Sequence, residues 1–341
     1  MTESLAQSQY EAALNAVETD TATPAEKAEM LMEIAMGMQT RPKTPEPLER
    51  AVQLYRRALE ICPGDSPLLR ARITTRLGTA LQALPSGGND TLKEARGCYE
   101  TALLTLKNAG KPEEIAELEM NLGLVQQSLA PSGAARLHDA IQCYHRALRT
   151  FTREAYPQEF SILHNNLAIA YLSIPLADER GKMREALAVQ SFEEVLKVVN
   201  LVDHPSEYAM IQNNLGNALQ YASSGHSLEN NLRALDAYDA ALKVRNPHDT
   251  PFEYANTISN KANVLRNLPD DPDSPGRGRS ASLAKARDLY REAQRIFATL
   301  AESQHAAVVA EAIRDIEREL LQEHPHSRGN GGGNGDARAH L

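Results

Sequence analysis

Apolar residues recur along this chain at helical spacing, with little strand-like alternation. Leu163, Leu167, Tyr171 and Ile174 show the pattern: at 100° per residue they share one helix face. Such stripes return at a fixed period. Pro24, Pro67, Pro112, Pro157, Pro205 and Pro251 fall 43, 45, 45, 48 and 46 residues apart. Ten residues after each stands Ile34, Leu77, Leu122, Leu167, Leu215 and, in the last, Lys261. The next residue is always small: Ala35, Gly78, Gly123, Ala168, Gly216 and Ala262. An aromatic follows later in each repeat: Tyr55, Tyr99, Tyr144, Phe192, Tyr238 and Tyr290.

Each column has a physical cause. Proline is pre-set for the first turn of a helix, where its missing N–H would be unpaired anyway. A small residue beside the core position lets a neighbouring helix approach closely. A second proline (Pro42, Pro85, Pro131, Pro175 or Pro269) closes most of these first helices. A loop such as PSGGND then leads to a second amphipathic helix, as in AVQLYRRAL, ARGCYETAL, AIQCYHRAL and ALDAYDAAL. The predicted unit is helix A, loop, helix B, over residues 24–66, 67–111, 112–156, 157–204, 205–250 and 251–302. Residues 2–18 match helix B alone, 303–322 form a charged capping helix, and 323–341 read as a disordered Gly-rich tail.

Composition narrows the class. Ala, Leu, Glu and Arg dominate, Trp is absent, and Phe occurs five times in 341 residues, which favours an all-α protein. A net charge of −9 argues against binding nucleic acid or an anionic membrane and favours a neutral or basic partner. No apolar run approaches the ~20 residues of a membrane span. The start, MTESLAQSQYEAAL, lacks a secretory pattern, and Cys62, Cys98 and Cys143 have no ligand spacing, so a cytoplasmic location is expected. Cys98 and Cys143, each just before a tyrosine, read as small core residues.

The segments RLGTAL, NLGLVQ and NLGNAL in helix A, with the tyrosine motif of helix B, resemble the tetratricopeptide repeat. More closely, TREAYPQEFSILHNNLAIAY resembles the long-period bacterial arrays, including those fused to CHAT-type protease domains. The likeness spans roughly residues 2–322. The period exceeds that of the usual repeat, an aromatic near the start of helix A is missing, and no effector domain follows, so protease activity is not expected. The resemblance implies a right-handed α-solenoid whose A helices line a concave groove.

Counting from the core leucine, positions −5, −1, +2 and +6 of helix A form a second stripe, expected outside the core. It begins with Glu29, Glu33, Met36 and Thr40, continues with Arg72, Arg76, Thr79 and Ala83, then Glu117, Asn121, Leu124 and Ser128. Ile162, Asn166, Ile169 and Ser173 follow, then Met210, Asn214, Asn217 and Tyr221. It ends with Asn256, Asn260, Asn263 and Asn267. The resemblance implies that this stripe faces the groove, with asparagines at −1 where such proteins hold a peptide backbone. An Asn side chain offers two donors and an acceptor, matching the amides of an extended segment, while the interleaved Ile, Met, Leu and Tyr receive apolar side chains. The competing reading is that the −1 asparagines only join adjacent repeats.

Lys261 breaks the core column and is read either as snorkelling at a loose last repeat or as a cation beside the asparagines, ready for an acidic group. Arg72 and Arg76 are placed to do the same near the other end. The loop at 267–282 reads as a surface insertion or a partner-contacting arm.

No catalytic constellation appears: His164, His204, His226 and His248 are scattered, and no HExxH or GxSxG motif occurs. His324 and His326 lack further ligands. No enzyme activity, cofactor or metal is expected. The expected function is an adaptor that binds an extended or helical segment of a partner protein. An assembly chaperone for a subunit of a multi-subunit, metal-containing enzyme is an alternative, as is a homo-oligomeric scaffold subunit.

Overall fold

Every one of the six periodic prolines opens a helix in the computed structural model, which describes residues 5–40, 44–85, 87–175, 179–222, 227–270 and 277–323. The tail from 324, with His324 and His326, and residues 271–276 of the long loop lie outside the described residues. The chain divides into two compact units, Met1–Leu176 and Ala177–Leu341. The first carries α1 (Leu5–Thr19), α2 (Pro24–Gln39), α3 (Glu46–Ile61), α4 (Pro67–Ala83), α5 (Asn89–Ala109), α6 (Pro112–Leu129), α7 (Leu137–Ala147) and α8 (Pro157–Ser173). The second carries α9 (Glu179–Val195), α10 (Pro205–Tyr221), α11 (Ser227–Leu242), α12 (Pro251–Arg266), α13 (Arg277–Thr299) and α14 (Ser303–Glu323). One 3-10 turn, Ala130–Ser132, follows α6, and no strand occurs among the described residues. The architecture is all-α and built from helical repeats.

Within each unit, consecutive helices pack as hairpins: α2 on α3, α4 on α5 and α6 on α7, then α10 on α11 and α12 on α13. The even-numbered helices are the A helices, and α14 packs on α13 as a further one. The expected long loop is shorter than its sequence indicates. Residues 277–282 already belong to α13, and the Arg279 N–H donates to Asp270 Oδ1 at 3.0 Å.

The hairpins close on one repeated contact. Tyr55, Tyr99, Tyr144 and Tyr238 are fully buried in their B helices. In three hairpins the ring lies against the glycine that follows the core leucine. A Cβ on Gly78 would stand 2.8 Å from Tyr99 Cε1, on Gly123 2.5 Å from Tyr144 Cε1, and on Gly216 2.6 Å from Tyr238 Cε1. The small column is therefore the footprint of an aromatic ring.

A fully buried phenol must also satisfy its hydroxyl. Each of these four has within reach a glutamine five residues after the core position of its A helix. Tyr99 donates to Gln82 Oε1 at 2.9 Å and Tyr144 to Gln127 Oε1 at 2.7 Å, and Tyr55 donates to Gln39; the Tyr238 hydroxyl has Gln220 Oε1 at 3.2 Å but a nearer acceptor in Asn217 Oδ1 at 2.7 Å. Burial pushes all four phenols well above their ordinary pKa, so they stay protonated donors. In the repeat whose aromatic is Phe192, with no hydroxyl, the glutamine column holds Leu172. The repeat of Tyr290, whose ring is not fully buried, holds Arg266 there.

The hairpin of α6 and α7 adds a charged pair. Glu119 is 2% exposed and receives both ends of the Arg146 guanidinium, at 2.8 and 2.6 Å. Beside it, burial pushes the Cys143 thiol up to about 12, while Cys98 rises to about 11 and Cys62 also rises. All three thiols are therefore held in the protonated form at neutral pH.

Two outcomes follow from the ring contact. Gly123→Ala should destabilise the protein by about 1–3 kcal/mol in urea denaturation, because the ring is held on all sides. Gln127→Leu should cost more than Tyr144→Phe. The former strands a buried hydroxyl, at about 1–3 kcal/mol, while the latter leaves a glutamine that water can reach.

Candidate functional site

The second stripe of the A helices stands outside the core, half-buried or exposed, with one exception: Asn166 is 8% exposed. The family resemblance implies that this asparagine faces the groove, with contact to the adjacent repeat as the competing reading. It is instead a buried residue, and its Nδ2 has no hydrogen-bond partner among the described residues.

In the first unit the two arginines of the stripe are already paired. Arg72 forms a two-pronged pair with Glu114, at 2.7 and 3.3 Å, and Arg76 meets Glu117 at 3.1 Å. These pairs join α4 to α6. The two arginines read from the sequence as receivers for an acidic group are thus committed to the neighbouring A helix. The Asn121 side chain makes no hydrogen bond among the described residues. Leu124, on the next position of the stripe, lines an apolar cleft of about 690 Å³ with Gln127, Ser128, Pro131, Leu137 and Ser173. On α8, Ile162 and Ile169 are exposed.

In the second unit the asparagines divide into two groups. Asn217 Oδ1 accepts the Tyr238 hydroxyl at 2.7 Å, which assigns it to the hairpin contact. Asn260 Nδ2 donates to Asn213 Oδ1 at 3.3 Å, joining α12 to α10, and Asn267 Nδ2 returns to the Asn263 carbonyl at 2.9 Å. These three serve the fold. By contrast, the side-chain amides of Asn214, Asn256 and Asn263 make no hydrogen bond among the described residues, though each is half-buried. Met210 and Tyr221 flank them, 41% and 64% exposed.

Lys261 does not stand beside these asparagines. It occupies the core column, a different face of α12, and its Nζ pairs with Asp239 of α11. Sequence reasoning also passed over the glutamine column. The signal was present in the sequence, as Gln39, Gln82, Gln127 and Gln220, with leucine where the aromatic is Phe192.

Among the described residues no helix is long and apolar enough to cross a membrane, and no group of three or more His, Cys, Asp or Glu side chains is placed to hold a metal ion.

No protein-family model matches the chain, and no curated protein does so either. Among solved structures it is similar to BtubC (BKLC) from P. vanneervenii, at 20% identity and a TM-score of 0.49, over 71% of this chain and 91% of that one. It is also similar to the TPR2AB domain of yeast Sti1 in its pHSP90 complex, at 14% identity and a TM-score of 0.29, over 86% and 99% of the two chains. The assembly chaperone of RpL4, Acl4, aligns at 16% identity and a TM-score of 0.37, over 89% and 99%. At these values none of them assigns a function to this chain.

The Arg72–Glu114 pair yields a pH test. The Arg72 guanidinium, hydrogen-bonded to Glu114, holds that carboxyl below its ordinary pKa. A depressed carboxylate stabilises the fold above the unfolded value of about 4.3, and that contribution is lost as the pH falls through the folded value. With both side chains partly exposed, the pair contributes less than about 1 kcal/mol. Denaturation of wild type and Arg72→Ala should differ by that amount at neutral pH, and the difference should shrink once the solution is acidified below the unfolded value of about 4.3 and vanish below the folded one.

Proposed function

We propose that this chain is a non-enzymatic adaptor whose A-helix face binds an extended or helical segment of a partner protein. The observation that carries the reading is the trio Asn214, Asn256 and Asn263. Three half-buried amides on adjacent A helices have no partner among the described residues, while Asn217 and Asn260 of the same stripe are engaged. An amide group offers donors and an acceptor to a peptide main chain, and Met210 and Tyr221 offer apolar area beside them. The cleft at Leu124 is a second apolar seat on an A helix, in the first unit. The relation to CHAT-associated arrays rests on the long repeat period and on the segment TREAYPQEFSILHNNLAIAY alone.

The test is affinity capture from native lysate with the wild type and with Asn214→Ala/Asn256→Ala, both first shown folded by circular dichroism. The double variant should lose the captured protein by at least about tenfold, since hot-spot contacts carry most of such affinity. Equal recovery of the same proteins by both would remove the basis of this reading.

A further inference from the structure

On the outer side of the hairpins an ion pair joins two pairs of B helices at the same two positions, whereas on α5 and α7 those positions hold Glu100 and Asp139, of like charge. The residue after the buried aromatic of one B helix meets the residue five before the aromatic of the next. Arg56 meets Glu94 at 2.8 Å across α3 and α5, and Glu193 meets Arg233 at 2.5 Å across α9 and α11. Each ion pair spans the groove between two B helices, over the A helix that lies beneath. Between α9 and α11 the cleft so bridged amounts to about 190 Å³.

The same two positions on α11 and α13 hold Asp239 and Lys285, which are complementary in charge but not joined. Asp239 is taken by Lys261, which rises from α12 where other repeats place leucine or isoleucine. Lys285 is left with no side-chain ion pair or hydrogen bond among the described residues. The groove stays open as a cleft of about 640 Å³, with Leu235, Leu265 and Leu289 among its lining.

The charges of this cleft are unequally engaged. Asp239 holds Lys261, Asp288 pairs with Arg287 at 2.9 Å, and Glu292 accepts the Tyr254 hydroxyl at 2.9 Å. Arg295, like Lys285, lines the cleft and its side chain has no partner among the described residues. Asp239 and Asp288 are paired with cations and Glu292 keeps its charge while accepting a hydroxyl, so the two unpaired cations, Lys285 and Arg295, leave the lining, with Arg287 counted, an excess of one positive charge. They lie ten residues apart on α13, about 15 Å along its axis.

We propose that this cleft docks an acidic amphipathic helix of a partner protein, with an apolar side chain on the three leucines and carboxylates on Lys285 and Arg295. Two helical walls over a helical floor suit a third helix laid in the groove, and the free cations select its charge. This surface is distinct from the asparagine face and does not depend on it. Lys261 becomes intelligible as the residue that opens the cleft, by drawing Asp239 away from Lys285.

The test is selection of a displayed library of helical 16-residue peptides on the full chain, followed by affinity measurement. Enriched peptides should carry glutamate or aspartate flanking an apolar stripe and should bind more weakly as salt rises. Lys285→Glu/Arg295→Glu should lower their affinity at least about tenfold, and Lys261→Leu should lower it too, by freeing Asp239 to bridge Lys285. Asn214→Ala/Asn256→Ala should leave it unchanged. Selection without acidic bias, or equal binding to wild type and the charge-reversed variant, would overturn the proposal. So would a concentration-dependent self-association abolished by Lys285→Glu/Arg295→Glu, because the occupant would then be a second copy of this chain.

Discussion

A tyrosine ring pressed onto a glycine is the contact on which three of this protein's hairpins rest. Overpacking a core by one methyl group costs about 1–3 kcal/mol, and at Gly123 the missing Cβ would lie 2.5 Å from a ring carbon. The ring in turn requires a receiver for its hydroxyl, because an unpaired buried donor would offset much of what burying the ring contributes. Glycine, tyrosine and glutamine thus act as one device, distributed over two helices and repeated with the hairpin.

That device limits what the A helices have left to offer. Side chains one turn apart on the same helix meet different fates. Asn217 accepts the Tyr238 hydroxyl, while the Asn214 amide makes no hydrogen bond among the described residues. Contacts between neighbouring A helices take up a further share, through Arg72 with Glu114, Arg76 with Glu117 and Asn260 with Asn213. What remains is a smaller and more polar face than the full stripe, concentrated on α10 and α12. Its value for recognition lies in amides that the fold itself does not use.

The outer side is governed in a similar way. An ion pair between exposed side chains is worth little in stability, but it decides whether a groove is bridged or open. One lysine in a leucine column redirects one aspartate, and a cleft with uncommitted cations results. A departure from the repeat pattern is informative here because the other repeats show what normally stands at that position.

Much of this was legible in the amino-acid order. Pro24 through Pro251 mark helix starts because proline suits only the first turn, and the 3.6-residue period tells which face is apolar. The glutamine column was legible too, since it accompanies four tyrosines and is absent beside Phe192, but its meaning needs the ring to be seen buried. The fates of Asn166, Asn217, Arg72 and Lys261 were not legible. Helical phase is a local property and sets only the direction in which a side chain leaves its helix. Whether it meets a partner depends on what a neighbouring helix presents there, 42 residues away for Arg72 and 47 for Asn260. The chain by itself therefore determined the helices, their hairpins and their faces; packing between them decided which polar groups on those faces are engaged and which are free.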